Sequence, residues 1–266
     1  MDTSKAQIVA TIGPATKDEE TIQQLIERQM GVARLNFSWG TYEEHTHYIE
    51  TIRVAAAEVG KSIPIIQDLS GPRLSDEKGH YFDEEALEVI TEKDLRDLDF
   101  GISKNVEYIT LSYVGNAHDV EKIRGEIKKR NGSAKVIAKV EREEAVKNID
   151  EIVASADAIM IGRGDLGQSI PLEQIPFVQY MITDRCKKAG KPVITATEML
   201  LSMIENEKPT RAEVTDVAFA ILLGSDAVML SEETARGKYP IHAVEMMAKI
   251  IREAENNMPE YKLNSL

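Results

Sequence analysis

Cysteine is nearly absent from this chain: Cys186 stands alone among 266 residues. No intrachain disulfide and no cysteine-built zinc site can therefore form. Long apolar runs are missing as well. No stretch approaches the ~20 residues that cross a bilayer, and the N-terminus lacks the apolar segment of a secretory signal. These absences point to the cytoplasm and away from a membrane. Basic residues are in deficit, 32 against 45 acidic ones, leaving a formal charge of −13. That balance disfavours non-specific nucleic-acid binding, which draws on clustered Lys and Arg, and no nucleic-acid partner is expected. An anionic ligand would have to be captured by a local site against the overall field. The composition, 42% apolar and 29% charged, is that of a globular chain and neither disordered nor collagen-like.

Short β-branched runs recur along the chain, separated by amphipathic stretches of helical length. Strands are predicted at Gln7 to Ile12, Val32 to Asn36, Ile63 to Asp68 and Val106 to Leu111. Four more fall at Lys135 to Val140, Asp157 to Ile161, Pro192 to Thr195 and Asp226 to Leu230. Most are continuous apolar runs, as parallel strands covered on both faces should be. Four helix starts carry a hydroxyl followed three residues later by an acid: Thr16 with Glu19, Thr41 with Glu44, Thr91 with Asp94, and Thr210 with Glu213. Eight strands alternating with helices in this length suit a (β/α)8 barrel. A doubly wound open sheet is the alternative, since periodicity does not count closure. Gly71 to Ile90 shows no period and reads as a loop or small excursion, so the whole of 1–266 is expected to form a single domain.

In a barrel the C-terminal strand ends and the loops after them form the active face. There the sequence places Arg34, Asn36 and Ser38, Asp68, Lys139 and Glu141, the run Gly162-Arg163-Gly164-Asp165, Thr195 and Thr197, and Ser231. Singly, each has a structural reading: Arg34 as a partner of a helix carboxylate, Asn36 and Ser38 as turn formers, Lys139 as a snorkelling side chain, Glu141 in a helix first turn. Together they suggest chemistry. Lys139 and Glu141 lie two apart and so share one face of a strand. With Asp165 at the next strand end, two carboxylates could share a hard divalent cation such as Mg²⁺, beside an ammonium suited to an oxyanion. The glycine run lets backbone approach a ligand and could form an anion nest at a helix N-terminus; a plain tight turn is the alternative. The histidines show no metal-ligand spacing, and His45 and His47 read as solvated or capping residues. Trp39 reads as a core or rim aromatic, or as a stacking surface.

The strings IVATIGPAT, GVARLNFSWG, IAKVE, IMIGRGDLG, GKPVITATEML, KPTRAEVTDVA and SDAVMLSEETARGKYP resemble, in order, the catalytic barrel of the pyruvate kinase family, from about Gln7 to about Ala254. The resemblance implies the closed (β/α)8 TIM barrel. It also implies that Glu141 and Asp165 hold Mg²⁺ or Mn²⁺, and that Lys139 neutralises charge on the phosphoryl group and enolate oxygen. Gly164, Asp165 and Thr197, next to Arg163, would receive the substrate carboxylate. Arg34 would contact the phosphoryl group, Thr197 and Ser231 would lie near the proton route to C3, and Asn36, Ser38 and Asp68 would line a K⁺ site.

The departures from that family's pattern are as informative. Arg73 takes the place of a glutamate beside the K⁺ site, so its fixed charge is expected to stand in for the ion. Ser75 takes the place of an arginine that touches nucleotide phosphates, Trp39 that of a histidine, and Glu232 that of a glycine. The lid domain is reduced to a short stub at about 73–90, and the C-terminal regulatory domain is expected to be missing. The expected substrate is a small anionic 2-oxo acid or phosphoenolpyruvate-like molecule. The expected chemistry is Mg²⁺-dependent enolate stabilisation leading to decarboxylation or aldol-type cleavage, with nucleotide phosphoryl transfer impaired. A pyruvate kinase of reduced activity, or one whose lid comes from a partner, is the alternative, followed by a non-catalytic scaffold. Barrels of this family often pair through outer helices, so a homodimer is expected.

Overall fold

Every predicted strand forms, within two residues of its expected bounds. In the computed structural model, residues 4–76, 79–86 and 88–258 are described. The chain runs β1 (Gln7–Thr11), α1 (Glu19–Glu27), β2 (Met30–Asn36), α2 (Tyr42–Glu58), β3 (Ile65–Asp68), β4 (Arg73–Asp76), β5 (Gly79–Phe82), α3 (Glu92–Ser103) and β6 (Tyr108–Leu111). It continues through α4 (Ala117–Lys129), β7 (Lys135–Val140), α5 (Glu143–Lys147), α6 (Ile149–Ser155), β8 (Ala158–Gly162), α7 (Arg163–Ser169) and α8 (Ile175–Ala189). It ends with β9 (Val193–Ala196), α9 (Arg211–Leu223), β10 (Ala227–Leu230), α10 (Glu232–Ala235) and α11 (Pro240–Asn257). The main sheet has the closed order β1-β10-β9-β8-β7-β6-β3-β2. This is a (β/α)8 barrel, which sets aside the open-sheet alternative. Among the described residues no helix is long and apolar enough to cross a membrane.

Two compact units can be distinguished: Met1–Ala33, Glu50–Ile63 and Ile194–Leu266 form one, Arg34–Ile49 and Pro64–Val193 the other. In the first, β1 lies parallel to β10 with Gln7 opposite Ala227 and Ala10 opposite Leu230, and β10 lies parallel to β9. Helix α9 starts in a reciprocal Thr210–Glu213 capping box and stops at Gly224, whose φ of 103° no side chain tolerates well. Helix α11 buries Ala243, Val244, Met247, Ala248 and Ile251, the i, i+4 stripe of a helix lying on a sheet.

In the second unit β3, β6, β7 and β8 pair in parallel, with Asp68 opposite Thr110, Leu111 opposite Ala138 and Lys139 opposite Met160. Burial of nearly every residue in these strands explains the continuous apolar runs in the sequence. The register also brings the C-terminal ends of β3, β6 and β7 level, which places their last polar residues together.

Three local expectations are corrected. Helix α1 is capped by Asp18, whose carboxylate accepts from Thr21 N, and not by Thr16, which is buried in a preceding 3-10 turn. Gly71 to Ile90 contains an antiparallel hairpin, β4 with β5, pairing Arg73 with Phe82 and Leu74 with Tyr81. Its strands are too short for a readable alternation. Residues 77, 78 and 87 of this stub lie outside the described residues, as does the side chain of Ser75. His45 is neither solvated nor a cap: it is buried, stacked on Phe37 at 4.0 Å, with Nε2 2.9 Å from Trp39 O.

Candidate active site

Strand β3 ends in a buried carboxylate, Asp68, only 1% exposed. Arg34, from β2, donates through Nε to Asp68 Oδ2 at 2.7 Å, and its Nη2 lies 2.7 Å from the same oxygen as an ion pair. From β7, Lys139 Nζ approaches the same oxygen at 3.6 Å. Burial pushes the Asp68 carboxyl up, but Lys139 and Arg34 outweigh it and hold the group below its ordinary value. Arg34 thus pairs with a strand carboxylate at the heart of the site rather than with a helix.

Lys139 and Glu141 do share one strand face. Lys139 Nζ stands 2.7 Å from Glu141 Oε1, a buried ion pair. Glu141 Oε2 accepts from Tyr113 N at 3.0 Å. Glu141 is 1% exposed. Burial pushes its carboxyl up to about 7, against the pull of Lys139 and with the push of Asp165.

Asp165 sits in the first turn of α7, directly after β8, and accepts from Tyr113 Oη at 3.0 Å. Burial, reinforced by Glu141 and Asp165, holds the Tyr113 phenol well above its ordinary value, so it is a proton donor here. The hairpin delivers Arg73 to the same place. Its Nη1 donates to Ser38 Oγ at 3.0 Å, its Nη2 lies 4.0 Å from Asp165 Oδ2, and its guanidinium stands 5.6 Å from the Tyr113 ring centroid. Ser38 N is held by Asn36 Oδ1 at 3.1 Å. Three cations, Arg34, Arg73 and Lys139, therefore interlock with three carboxylates, Asp68, Glu141 and Asp165.

This network opens on a cavity of about 660 Å³ lined by Tyr81, Phe82, Asp83, Tyr113, Glu141 and Asp165, among others. A second cavity, of about 400 Å³, lies at the opposite strand ends around Pro64, Val106 and Lys135. It holds none of the interlocked charges, and barrel chemistry belongs at the C-terminal face.

Among the described residues no three His, Cys, Asp or Glu side chains cluster to form a metal cage. Mg²⁺ does not require one: it binds through one or two carboxylates and fills its shell with water and substrate oxygens. The Glu141 and Asp165 carboxylates on the same cavity suit that donor set.

Not every predicted site residue joins the network. Arg163 turns to α8, where its Nη1 donates to Gln179 Oε1 at 3.2 Å. Gly164 lies within the first turn of α7, so the glycine run is a strand-to-helix junction in which a Cβ on Gly162 would fall 2.7 Å from Glu141 Cγ. Thr197 and Ser231 belong to the other compact unit. Thr197 has a φ of 68° and donates to Ala196 O at 2.6 Å; Ser231 Oγ is buried without a hydrogen-bond partner. In that unit Glu233, which the sequence reading missed, accepts from Leu200 N at 3.1 Å and Ser231 N at 2.7 Å. Ser112 and Tyr113, also missed, follow β6 directly. Trp39 is 63% exposed, a rim residue rather than a core one.

The family description "Pyruvate kinase, barrel domain" matches residues 3–83 and 83–244, nearly the whole chain. The chain belongs to the pyruvate kinase family. It is 38% identical to a pyruvate kinase of Thermococcus litoralis, covering 94% of this chain and 70% of that protein. A pyruvate kinase of Dictyostelium discoideum is 37% identical, with 94% and 66% covered, and one of Sporosarcina psychrophila 37%, with 94% and 57% covered. The chain thus spans 57–70% of the length of these three relatives. The first alignment runs over 331 positions, more than this chain contains, so that relative carries internal residues without counterpart here.

Proposed function

We propose that this barrel binds a small 2-oxo acid, pyruvate or a phosphoenolpyruvate-like molecule, and stabilises its enolate with the help of Mg²⁺ or Mn²⁺. One observation carries the reading: the buried Glu141 carboxylate, ion-paired with Lys139 Nζ at 2.7 Å, shares a cavity with Asp165. Glu141 and Asp165 would hold the divalent ion. Bound there, the ion supplies Lewis-acid polarisation of the substrate's carbonyl or enolate oxygen. Lys139 offers a positive point charge to that oxygen, and Asp68 with Ser112 fixes the ammonium. Arg34, oriented by its hydrogen bond and ion pair with Asp68, would meet a phosphoryl or second anionic group. Gly164, at the start of α7, would meet the substrate carboxylate. For Thr197, Ser231 and Arg163 the family resemblance alone supports a substrate role.

Arg73 supports independence from K⁺, because its guanidinium already occupies the Ser38 side of the monovalent-cation region. We also infer one domain whose lid is reduced to the β4–β5 hairpin. The break in the family match at residue 83 falls just after β5. Asp83, Glu84 and Glu85 line this cavity beside Arg142, and their negative charge disfavours the highly charged polyphosphate of a nucleotide more than a small 2-oxo acid. The kinase reaction is the second reading, favoured by the relatives, each a pyruvate kinase by name. Exposed Leu172, Phe177 and Tyr180 at the start of α8 support self-association through an outer helix. A single buried cysteine fits the reducing cytoplasm.

The test is solvent deuterium incorporation into the methyl group of pyruvate, with and without Mg²⁺, in the parent and in Lys139→Ala. Mg²⁺-dependent exchange lost in the variant is expected, without ATP formation from phosphoenolpyruvate and ADP. Brisk ATP formation would establish the kinase reading; neither exchange nor Mg²⁺ binding would leave a scaffold.

A further inference from the structure

Tyr113 follows β6 with a φ of 56°, a left-handed conformation that a tyrosine adopts only where its surroundings hold it. They do so from every side. Its N–H donates to Glu141 Oε2 at 3.0 Å, and its carbonyl accepts from Arg142 Nε at 2.9 Å. Its ring lies 5.3 Å from that of Phe82, on the hairpin, and 5.6 Å from the Arg73 guanidinium. Its hydroxyl donates to Asp165 Oδ1 at 3.0 Å. One residue therefore grips both acids of the site, Glu141 by its amide and Asp165 by its phenol.

We propose that Tyr113 is the positioning residue of this acid pair, and that its hydroxyl keeps Asp165 from collapsing onto Arg73. The inference rests on the reading that Glu141 and Asp165 hold a divalent cation. Arg73 Nη2 lies 4.0 Å from Asp165 Oδ2, at the outer limit of an ion pair, and its Nε is buried with no hydrogen bond. A guanidinium with spare donors beside a carboxylate closes on it unless another bond holds that carboxylate back. The phenol supplies that bond through the opposite carboxylate oxygen. The hydroxyl thus leaves Asp165 Oδ2 for a ligand, and the left-handed backbone aims the amide at Glu141 while the ring reaches Asp165.

Tyr113→Phe removes the hydroxyl and keeps the amide, the ring and the packing. Mn²⁺ binding to the full chain, read by electron paramagnetic resonance, is the assay. Loss of an outer partner of a metal ligand typically weakens binding 10–100-fold, and at least a tenfold rise in the Mn²⁺ Kd is expected for Tyr113→Phe. Tyr113→Phe combined with Arg73→Met should recover part of that loss, because the competing guanidinium is gone. A merely structural role would shift the thermal midpoint of metal-free protein and leave the Kd alone. If the parent binds Mn²⁺ and Tyr113→Phe binds it equally well, Tyr113 does not position Asp165. If the parent binds none at millimolar Mn²⁺, the acid-pair reading fails and this inference falls with it.

Discussion

Two glycines five residues apart in one motif should respond oppositely to the same methyl group. A Cβ on Gly162 would stand 2.7 Å from Glu141 Cγ and 2.9 Å from Glu141 Oε1. Carbon atoms pack at about 3.5–4.0 Å, so Glu141 must retreat by roughly 1 Å. It cannot do so freely, because Lys139 holds one oxygen at 2.7 Å and Tyr113 N the other at 3.0 Å. Overpacking costs about 1–3 kcal/mol, and loosening a hydrogen bond to a charged group adds about 1.5–3 kcal/mol at most. Gly162→Ala should therefore destabilise the protein by about 2–4 kcal/mol. Gly167, in α7, has no atom within 4 Å of its would-be Cβ, so Gly167→Ala should gain about 0.5–1 kcal/mol from helix propensity alone. Urea unfolding of both variants without metal, followed by circular dichroism, measures the difference. Gly162→Ala should also weaken Mn²⁺ binding, whereas Gly167→Ala should leave the fold near the acids intact. A Gly162→Ala protein that unfolds with the parent and binds Mn²⁺ as tightly would show that Glu141 is not held as described.

Glu233 is buried and answers two backbone N–H groups, those of Leu200 and Ser231; Glu233→Ala leaves both unsatisfied and should cost about 2–4 kcal/mol in urea unfolding. Arg34→Met removes two 2.7 Å contacts from the buried Asp68 and should cost about 3–5 kcal/mol, seen as a lowered urea midpoint. Acid should destabilise the fold. Burial raises Asp157 and Glu213, but Val136 N and Arg124 on one, and Ser202 and Thr210 on the other, outweigh it and leave both below their ordinary values. A depressed carboxyl adds stability that is present above its unfolded pKa and lost as pH falls through the folded one. The urea midpoint should therefore decline below about pH 4, and Asp157→Asn should flatten part of that decline.

The barrel was legible because its information is local. A parallel strand covered on both faces writes itself as a short apolar run, and Lys139 with Glu141 needed only a period of two to be placed on one face. Groups whose partner lies on another element were harder to read. That Arg163 donates to Gln179, sixteen positions on, could not be read from its glycine-flanked motif. His45 looked solvated because nothing in its own helix reveals the Phe37 ring stacked on it. The hairpin was missed because four residues a side are too few to show alternation. Tyr113 is the most instructive case. An aromatic after an apolar strand reads as core, and a left-handed tyrosine leaves no trace in composition, since only glycine and asparagine advertise that conformation. Yet the Ser112-Tyr113 pair follows β6 as Glu141 follows β7. Once the strands are taken as level members of one barrel, the residues after every strand, apolar or not, become candidates for the rim. A site assembled from many strand ends is therefore read by position in the barrel as much as by residue type, and a phenol can belong to it as fully as a carboxylate.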